Sequence, residues 1–134
     1  MAQIDEQIKQ FLAASTFAVA GASTNRAKYG NKILRWYQQN NRNVIPINPR
    51  ADIIEGVPCV ASVLDLPDTV DSLSIITPPK ITEQVVEQAI TKGIKNIWMQ
   101  PGAESKIAVE RCQENGINVI ADGNCLLVII HYQE

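Results

Sequence analysis

Histidine and cysteine are scarce in this sequence. It contains one histidine, His131, and three cysteines, Cys59, Cys112 and Cys125, with no Cys-x-x-Cys spacing. A structural zinc site needs four close ligands, a disulfide framework needs paired cysteines, and a catalytic triad needs a histidine with partners in a workable order. The sequence therefore predicts neither a metal site, nor a disulfide framework, nor a triad.

Excess charge and long apolar runs are lacking as well. Twelve basic against fourteen acidic side chains leave a net charge of −2, which argues against a nucleic-acid-binding surface or a polybasic membrane patch. No apolar run approaches the roughly 18 residues that cross a bilayer, and the first residues do not resemble a signal peptide. With 134 residues, 46% of them hydrophobic, we expect one compact cytoplasmic domain over residues 1–134.

What the sequence does contain is a regular alternation of strand and helix patterns. After an N-terminal helix with an apolar stripe, the pattern predicts strands over residues 17–21, 43–48, 71–76, 96–100 and 117–121. Helices are predicted over 27–40 and in segments that end at Gly93 and Gly116. Because right-handed crossovers of helical length join parallel strands, we expect an α/β fold: a single Rossmann-like, doubly wound, parallel five-stranded sheet with helices on both faces.

Three further expectations concern the rest of the chain. Residues 49–70 carry proline and glycine turn signals, so we expect a tight turn within 53–58 and a short helical turn at 62–66. In the last long helix, Ile107, Ala108 and Cys112 are predicted to face the core. The apolar tail 126–130 fits either an added edge strand or an exposed surface that supports a homodimer.

The loop after the first predicted strand has the features of a phosphate site. Gly21 allows a tight turn where the strand ends, and the following helix directs its unpaired N–H groups and the positive end of its dipole into the same space. Arg26 and Lys28 add positive charge. An ordinary loop with two solvated cations is the alternative. We expect Gly21→Val to block ligand binding and to leave the fold intact.

The same loop differs from a dinucleotide fingerprint. Ser23 and Arg26 stand where that motif has glycines. After the second strand, where NAD-binding chains place an acid for the ribose hydroxyls, this chain has Asn48, followed by Pro49 and Arg50. A missing carboxylate and an added cation favour a ribose that carries a phosphate, which indicates NADP or coenzyme A (CoA).

Unusual loops follow all five predicted strands. A doubly wound sheet collects its ligand groups at the carboxyl ends of its strands, beside the point where the strand order reverses. The loops there are Gly21-Ala22-Ser23, Asn48-Pro49-Arg50, Thr77-Pro78-Pro79, Gln100-Pro101-Gly102 and 122–125. We therefore expect the ligand site at this edge of the sheet.

These motifs, in this order and spacing, resemble those of the small CoA-binding domain proteins, whose fold is similar to the N-terminal domain of the succinyl-CoA synthetase α subunit. The motifs are Val-Ala-Gly-Ala-Ser at 19–23, Val-Ile-Pro-Ile-Asn-Pro-Arg at 44–50, Ile-Glu-Gly-Val-Pro-Cys at 54–59, Thr-Pro-Pro at 77–79, Trp-Met-Gln-Pro-Gly at 98–102 and a late Asp-x-x-Cys-Leu. The resemblance covers about residues 12–131 and implies a domain that holds CoA.

The resemblance also implies where parts of CoA lie. It implies the pyrophosphate over 21–23, the adenosine near 48–50, the Thr-Pro-Pro loop beside the nucleotide, and the pantetheine arm facing Gln100 and the Asn124-Cys125 end. The residues predicted to bind the cofactor are Gly21, Ala22, Ser23, Thr24, Asn25, Arg26, Lys28, Tyr29, Asn48, Pro49, Arg50, Thr77, Pro78, Pro79, Gln100, Asn124 and Cys125.

The sequence differs from the family pattern at several positions, so not every binding residue of the family can be assigned to it. Relatives often carry a proline and a Ser-His pair where this chain has Arg26-Ala27-Lys28 and Tyr29-Gly30. The synthetases work through a phosphorylated histidine in a second domain, which we do not expect in this chain. The sequence thus predicts non-catalytic binding of CoA or an acyl-CoA, with no nucleic-acid or membrane partner. The alternatives are an NADP-binding redox protein or sensor, and an accessory subunit of an acyl-CoA ligase.

Overall fold

A computed structural model describes residues 2–127 of the chain, which form one sheet of five strands, a small hairpin and four α-helices. The elements are α1 (Ala2–Leu12), β1 (Thr16–Ala20), α2 (Tyr29–Gln39), β2 (Asn43–Ile47), β3 (Ile53–Ile54), β4 (Val57–Pro58), a 3-10 turn (Val63–Asp65), β5 (Val70–Ile75), α3 (Pro79–Lys92), β6 (Asn96–Met99), α4 (Lys106–Glu114) and β7 (Asn118–Ile120). His131 and most of the tail 126–130 lie outside the described residues.

The main sheet has the strand order β2-β1-β5-β6-β7, and each neighbouring pair is parallel. The chain first adds β2 on one side of β1 and then crosses back to add β5 on the other side. The strand order therefore reverses between β1 and β5, which is where a doubly wound sheet opens a crevice at the carboxyl ends of its strands. The predicted Rossmann-like, doubly wound five-stranded fold is confirmed.

Helices cover both faces of the sheet, so both faces are buried. One core contains apolar side chains of α3, α4 and the 3-10 turn, and the other contains those of α1 and α2. Along β1 the side chains alternate between the two cores, with Phe17 and Val19 on the α2 side and Ala18 and Ala20 on the α3 side. This alternation explains why the strand reads as a continuous apolar run.

The turn expectations for residues 49–70 are confirmed, and one expectation for α4 is wrong. The strands β3 and β4 pair as an antiparallel hairpin whose turn residues, Glu55 and Gly56, have φ of 49° and 79°. In α4, Ala108 and Cys112 are buried, but Ile107 is 60% exposed. Ile107 precedes Ala108 by one position, about 100° around the helix, so the two do not share a face.

Because Cys112 is buried, we expect the free energy of unfolding to fall at alkaline pH. Desolvation raises the pKa of this thiol from about 9 to about 12. Because folding disfavours the thiolate, the contribution of Cys112 is complete below about pH 9 and is lost as the pH rises toward 12. We expect the free energy of unfolding, measured with urea at pH 7 and about pH 10.5, to fall less in Cys112→Ala than in the wild type. Equal falls in both proteins would contradict this assignment.

Candidate functional site

The turn after β1 depends on two glycines, Gly21 and Gly30. Gly21 has a φ of +92°, and a Cβ atom added there would lie 2.4 Å from the carbonyl oxygen of Ile76. A Cβ atom added at Gly30, in the first turn of α2, would lie 2.1 Å from the carbonyl oxygen of Gly21. The backbones of β1, α2 and the β5 end thus approach more closely than any side chain permits.

This geometry corrects the expectation for Gly21→Val. The expectation assumed that the added side chain would occupy the phosphate position and would leave the fold intact. In the structure the Cβ direction at Gly21 points to the backbone of Ile76 instead. A side chain there strains a left-handed residue and collides with a neighbouring strand end, so the substitution disturbs the fold itself.

The loop between β1 and α2 is held by its own side chains. Ser23 Oγ accepts a hydrogen bond from the Asn25 N–H at 3.0 Å, and Asn25 Oδ1 accepts one from the Ala27 N–H at 3.0 Å. These turns postpone the helix, which begins at Tyr29 rather than at the predicted residue 27. The N-terminus of α2 has no side-chain cap and no acidic residue in its first turn. Its amide groups and dipole therefore favour an anion.

The predicted cations lie around this helix terminus, and one of them is already paired. Arg26 Nε lies 3.5 Å from Glu55 Oε2, and the Arg26 side chain is 66% exposed. Lys28, at the N-terminus of α2, and Arg50, in the loop after β2, are both exposed. The Glu55 side chain is only 21% exposed, so a partly buried carboxylate holds the exposed guanidinium of Arg26.

Asn31 and Glu55 were missed by the sequence analysis, although they hold this loop in place. The Asn31 side chain is fully buried, and its Nδ2 donates hydrogen bonds to the Ser23 carbonyl at 2.8 Å and to Glu55 Oε2 at 3.1 Å. Its Oδ1 accepts a hydrogen bond from Arg35 Nε at 2.7 Å. Nothing in the local sequence distinguishes this asparagine from an exposed helical residue, because two of its three partners, Ser23 and Glu55, come from other segments of the chain.

Asn48 joins the loops after β1 and β2. Its Nδ2 donates a hydrogen bond to the Ala22 carbonyl at 3.0 Å, and its Oδ1 accepts hydrogen bonds from the N–H groups of Arg50 and Ala51 at 2.8 and 3.0 Å. An aspartate at this position would lack the donor for the Ala22 carbonyl. The side-chain amide thus sets the position of both loops, which explains physically why the acid of NAD-binding chains is absent.

Two pockets flank Thr77 at the carboxyl edge of the sheet. The first, of about 250 Å³, lies where the strand order reverses. It is lined by Ala20, Gly21, Ile47, Asn48, Pro49, Ala61, Ser62, Val63, Thr77, Ile81, Gln84, Val85 and Gln88. The second, of about 330 Å³, is lined by Tyr29, Ile76, Thr77, Pro78, Pro101, Gly102 and Ala103. The two pockets share Thr77, and the Gly21 turn lines the first of them.

The predicted site residues fall into two groups by position. Those that line a pocket are Gly21, Tyr29, Asn48, Pro49, Thr77 and Pro78. Those that line neither pocket are Ala22, Ser23, Thr24, Asn25, Arg26, Lys28, Arg50, Pro79, Gln100, Asn124 and Cys125. Pocket residues from the 3-10 turn and α3, such as Ser62, Gln84 and Gln88, were missed, because their approach to the β1 end depends on the crossover.

The loop after β7 contacts a buried amide at the end of β6. The Gln100 side chain is fully buried, and its Oε1 accepts a hydrogen bond from the Leu126 N–H at 2.9 Å. The Tyr29 hydroxyl lies 3.5 Å from the same oxygen and contacts Cys125 Sγ. Trp98 Nε1 donates a hydrogen bond to the Asn124 carbonyl at 3.0 Å. These contacts bring three predicted residues, Tyr29, Gln100 and Cys125, together.

Within residues 2–127 the structure contains no group of three or more His, Cys, Asp or Glu side chains arranged to hold a metal ion. In the same range, none of the helices combines the length and apolar character required to cross a membrane. Neither finding assigns a chemistry to the pockets.

A parallel sheet with this strand order, a glycine turn after β1 and pockets at the switch point defines the class of Rossmann-like α/β domains. The sequence matches the family model described as CoA binding domain over residues 15–131. The chain belongs to this CoA-binding domain family.

Three proteins illustrate what the chain is similar to. Acetate–CoA ligase (ADP-forming) I of Archaeoglobus fulgidus is 30% identical over 122 residues, which are 84% of this chain and 18% of the ligase. The chain thus spans less than a fifth of that ligase. The uncharacterized protein YneT of Bacillus subtilis is 26% identical over 117 residues, 87% of each sequence. The structure of a conserved hypothetical protein from Pyrococcus furiosus has a TM-score of 0.81 at 40% identity and covers 85% of this chain and 97% of its own.

Proposed function

We propose that this protein binds CoA or an acyl-CoA without transforming it, as a single domain. The proposal rests on two pockets that share Thr77 at the carboxyl edge of the sheet, one lined by Gly21 and the other by Tyr29, the first residue of the uncapped helix α2. A pyrophosphate suits this helix terminus, because the unpaired N–H groups and the dipole stabilise negative charge there. The family match supports CoA as the ligand.

The first pocket suits the adenosine end of CoA. Its wall is largely apolar, and Ile81 of α3, which is 43% exposed, offers a flat contact for a purine. The amides of Gln84 and Gln88 lie on the same wall and can donate and accept hydrogen bonds at the edge of the base. A 3′-phosphate on the ribose would then lie near the exposed guanidinium of Arg50, with which it can form charge-assisted hydrogen bonds.

The second pocket suits a thin, largely apolar chain such as pantetheine. Two prolines, Pro78 and Pro101, lie in its wall beside Tyr29 and Ala103. Because proline fixes the backbone φ, a wall that contains prolines loses little conformational entropy when the ligand binds. The bulkier, flat nicotinamide of NADP is the competing occupant of the same space.

Calorimetric titration of ligand-free protein with CoA, dephospho-CoA, NADP and NAD tests this function. We expect saturable binding of CoA, and binding of dephospho-CoA that is weaker by up to about fivefold, since a contact between exposed charges contributes at most about 1 kcal/mol. In Arg50→Gln the two ligands should bind alike. Lys95→Gln, an exposed cation before β6 at the opposite edge of the sheet, is the matched control and should keep the preference. Saturation by NADP together with no heat from CoA would refute the proposal.

A role as an accessory subunit of an acyl-CoA ligase is the second candidate. It is favoured by the alignment with the ADP-forming acetate–CoA ligase, in which the matched region is one part of a much longer chain. Size-exclusion chromatography of the natively expressed protein distinguishes the two functions. A chain that elutes alone and forms no ADP from ATP, acetate and CoA supports binding without transformation. Stable co-elution with a second polypeptide that confers ligase activity supports the accessory role.

A further inference from the structure

Glu55 has a backbone conformation that its residue type rarely adopts. It is the first of the two turn residues between β3 and β4, and its φ of 49° lies in the left-handed region. A two-residue hairpin turn with positive φ at both positions prefers Asn-Gly or Asp-Gly, because asparagine and aspartate tolerate this region best. A glutamate that is kept in such a conformation points to a role for its side chain.

The Glu55 side chain turns back to the loop between β1 and α2. It is 21% exposed, and its Oε2 accepts a hydrogen bond from Asn31 Nδ2 at 3.1 Å and lies 3.5 Å from Arg26 Nε. The Glu55 carbonyl accepts a further hydrogen bond from Gln38 Nε2 of α2 at 2.9 Å. Glu55 lines neither of the two pockets, so by contact it reaches the loop only through Asn31 and Arg26.

Asn31 connects the Glu55 carboxylate to the Ser23 carbonyl. Its Nδ2 donates hydrogen bonds to Glu55 Oε2 and, at 2.8 Å, to the Ser23 carbonyl. Its Oδ1 accepts one from Arg35 Nε at 2.7 Å. A carboxylate can only accept hydrogen bonds, and a guanidinium can only donate them. Together the two charged groups therefore fix which end of the buried amide faces Ser23.

The hydrogen bond to the Ser23 carbonyl decides where the next backbone N–H points. No peptide bond among the described residues is cis, and in a trans peptide the C=O and N–H groups point in opposite directions. Because Asn31 holds the Ser23 carbonyl, the Thr24 N–H points away from the Asn31 side chain. Asn48 Nδ2 holds the Ala22 carbonyl and so directs the Ser23 N–H in the same manner. Successive N–H groups that are oriented by their surroundings are the donors of anion-binding loops.

We propose that Glu55 is a positioning residue for the phosphate groups of the ligand. It acts through Asn31, by keeping the N–H of the Ser23–Thr24 peptide directed toward the anion, whereas a flipped peptide would present its carbonyl oxygen instead. This inference rests on the proposed function and adds to it a residue of the β3–β4 hairpin.

The positioning role predicts an effect opposite in sign to that of charge alone. A carboxylate near a phosphate site repels the ligand, so the loss of its charge should by itself strengthen binding. If Glu55 orients the loop, the loss of its contacts weakens binding although a negative charge disappears. The direction of the change therefore separates the two effects.

Calorimetric titration with CoA measures this direction in two variants. Glu55→Asn suits the left-handed turn but is one methylene shorter and loses the contact with Asn31, so we expect CoA to bind about tenfold more weakly. Glu55→Gln keeps the length and an oxygen for the Asn31 amide, so its affinity should stay within about twofold of the wild type. Asp52→Asn removes an exposed carboxylate three positions earlier. It is the control for charge and should also stay within about twofold.

Two results of the titration would overturn the positioning role. One is CoA binding by Glu55→Asn that is as tight as in the wild type or tighter, and the other is an equal loss of affinity in Asp52→Asn. Failure of the wild type to bind CoA would instead refute the proposed function.

Hydrogen–deuterium exchange tests the positioning step without a ligand. In ligand-free Glu55→Asn we expect the backbone amides of residues 21–28 to exchange about threefold faster than in the wild type, because the loop is held less firmly. Glu55→Gln should exchange like the wild type. The amides of α4, which packs on the opposite face of the sheet from α2, are the internal reference. Equal exchange at residues 21–28 in all three proteins would overturn the proposal, whatever the affinity for CoA.

Discussion

Gly30→Ala is expected to weaken CoA binding by about a hundredfold, equivalent to about 2.7 kcal/mol. The added methyl group would lie 2.1 Å from the Gly21 carbonyl oxygen, and this neighbour is backbone. The N-terminus of α2 must therefore move away from the β1 turn, which separates the unpaired N–H groups from the phosphate position. Overpacking of this kind also lowers the free energy of unfolding by about 1–3 kcal/mol. Calorimetric titration and urea unfolding measure the two effects.

Gly93→Ala is the control for a glycine substitution that strains the backbone away from the site. Gly93 ends α3 with a φ of +84°, and an added Cβ atom there meets nothing within 4 Å. We expect this variant to lose about 1 kcal/mol of stability and to bind CoA like the wild type. If Gly30→Ala retained full CoA affinity, α2 would not supply the phosphate-binding amides, and the proposed position of the pyrophosphate would be wrong.

Trp98→Ala is expected to lower the free energy of unfolding by about 3–5 kcal/mol. The indole is fully buried in the core beneath α1 and α2, where it meets the Phe11 ring edge-on at 5.4 Å between centroids. Its N–H also donates a hydrogen bond to the Asn124 carbonyl. The same side chain thus fills the core and fixes the loop that carries Cys125, so the substitution should disturb both.

Trp98→Phe separates these two roles. It keeps most of the core volume and removes the hydrogen bond to Asn124, so we expect a smaller loss of stability and faster alkylation of Cys125. Trp36→Phe is the matched control, because Trp36 is partly exposed on α2 and should cost less than about 1.5 kcal/mol. Urea unfolding measures the stability changes. A Trp98→Ala variant as stable as Trp36→Phe would contradict the packing described for this core.

The fold was predictable from the sequence because its signals are local. Apolar runs such as 17–20 mark strands buried on both faces, and glycines after the last helical residue, such as Gly93, mark helix ends. The boundaries shifted by one or two residues. In α2 the shift arises because Ser23 and Asn25 close turns that compete with the helix.

The candidate site was only partly predictable. The glycine turn and the proline-rich loops are visible as residue types at strand ends, but their partners are distant in sequence. Gly30 stands nine positions after Gly21, outside any familiar spacing, and its need for a hydrogen atom arises only when α2 packs on the β1 turn. Asn31 reads as an exposed helical residue until Glu55 and Ser23 are placed beside it.

The sequence by itself determined the alternation of strands and helices, their parallel pairing and the edge of the sheet at which we expect the ligand. These properties follow from short-range periodicity and from the fixed handedness of crossovers. The tertiary structure alone decided that two pockets share Thr77, that Arg26 is paired with Glu55 and that the Tyr29 hydroxyl lies 3.5 Å from Gln100 Oε1. The physical reason is that each of these contacts joins segments that no local pattern couples, and only close packing brings their atoms together.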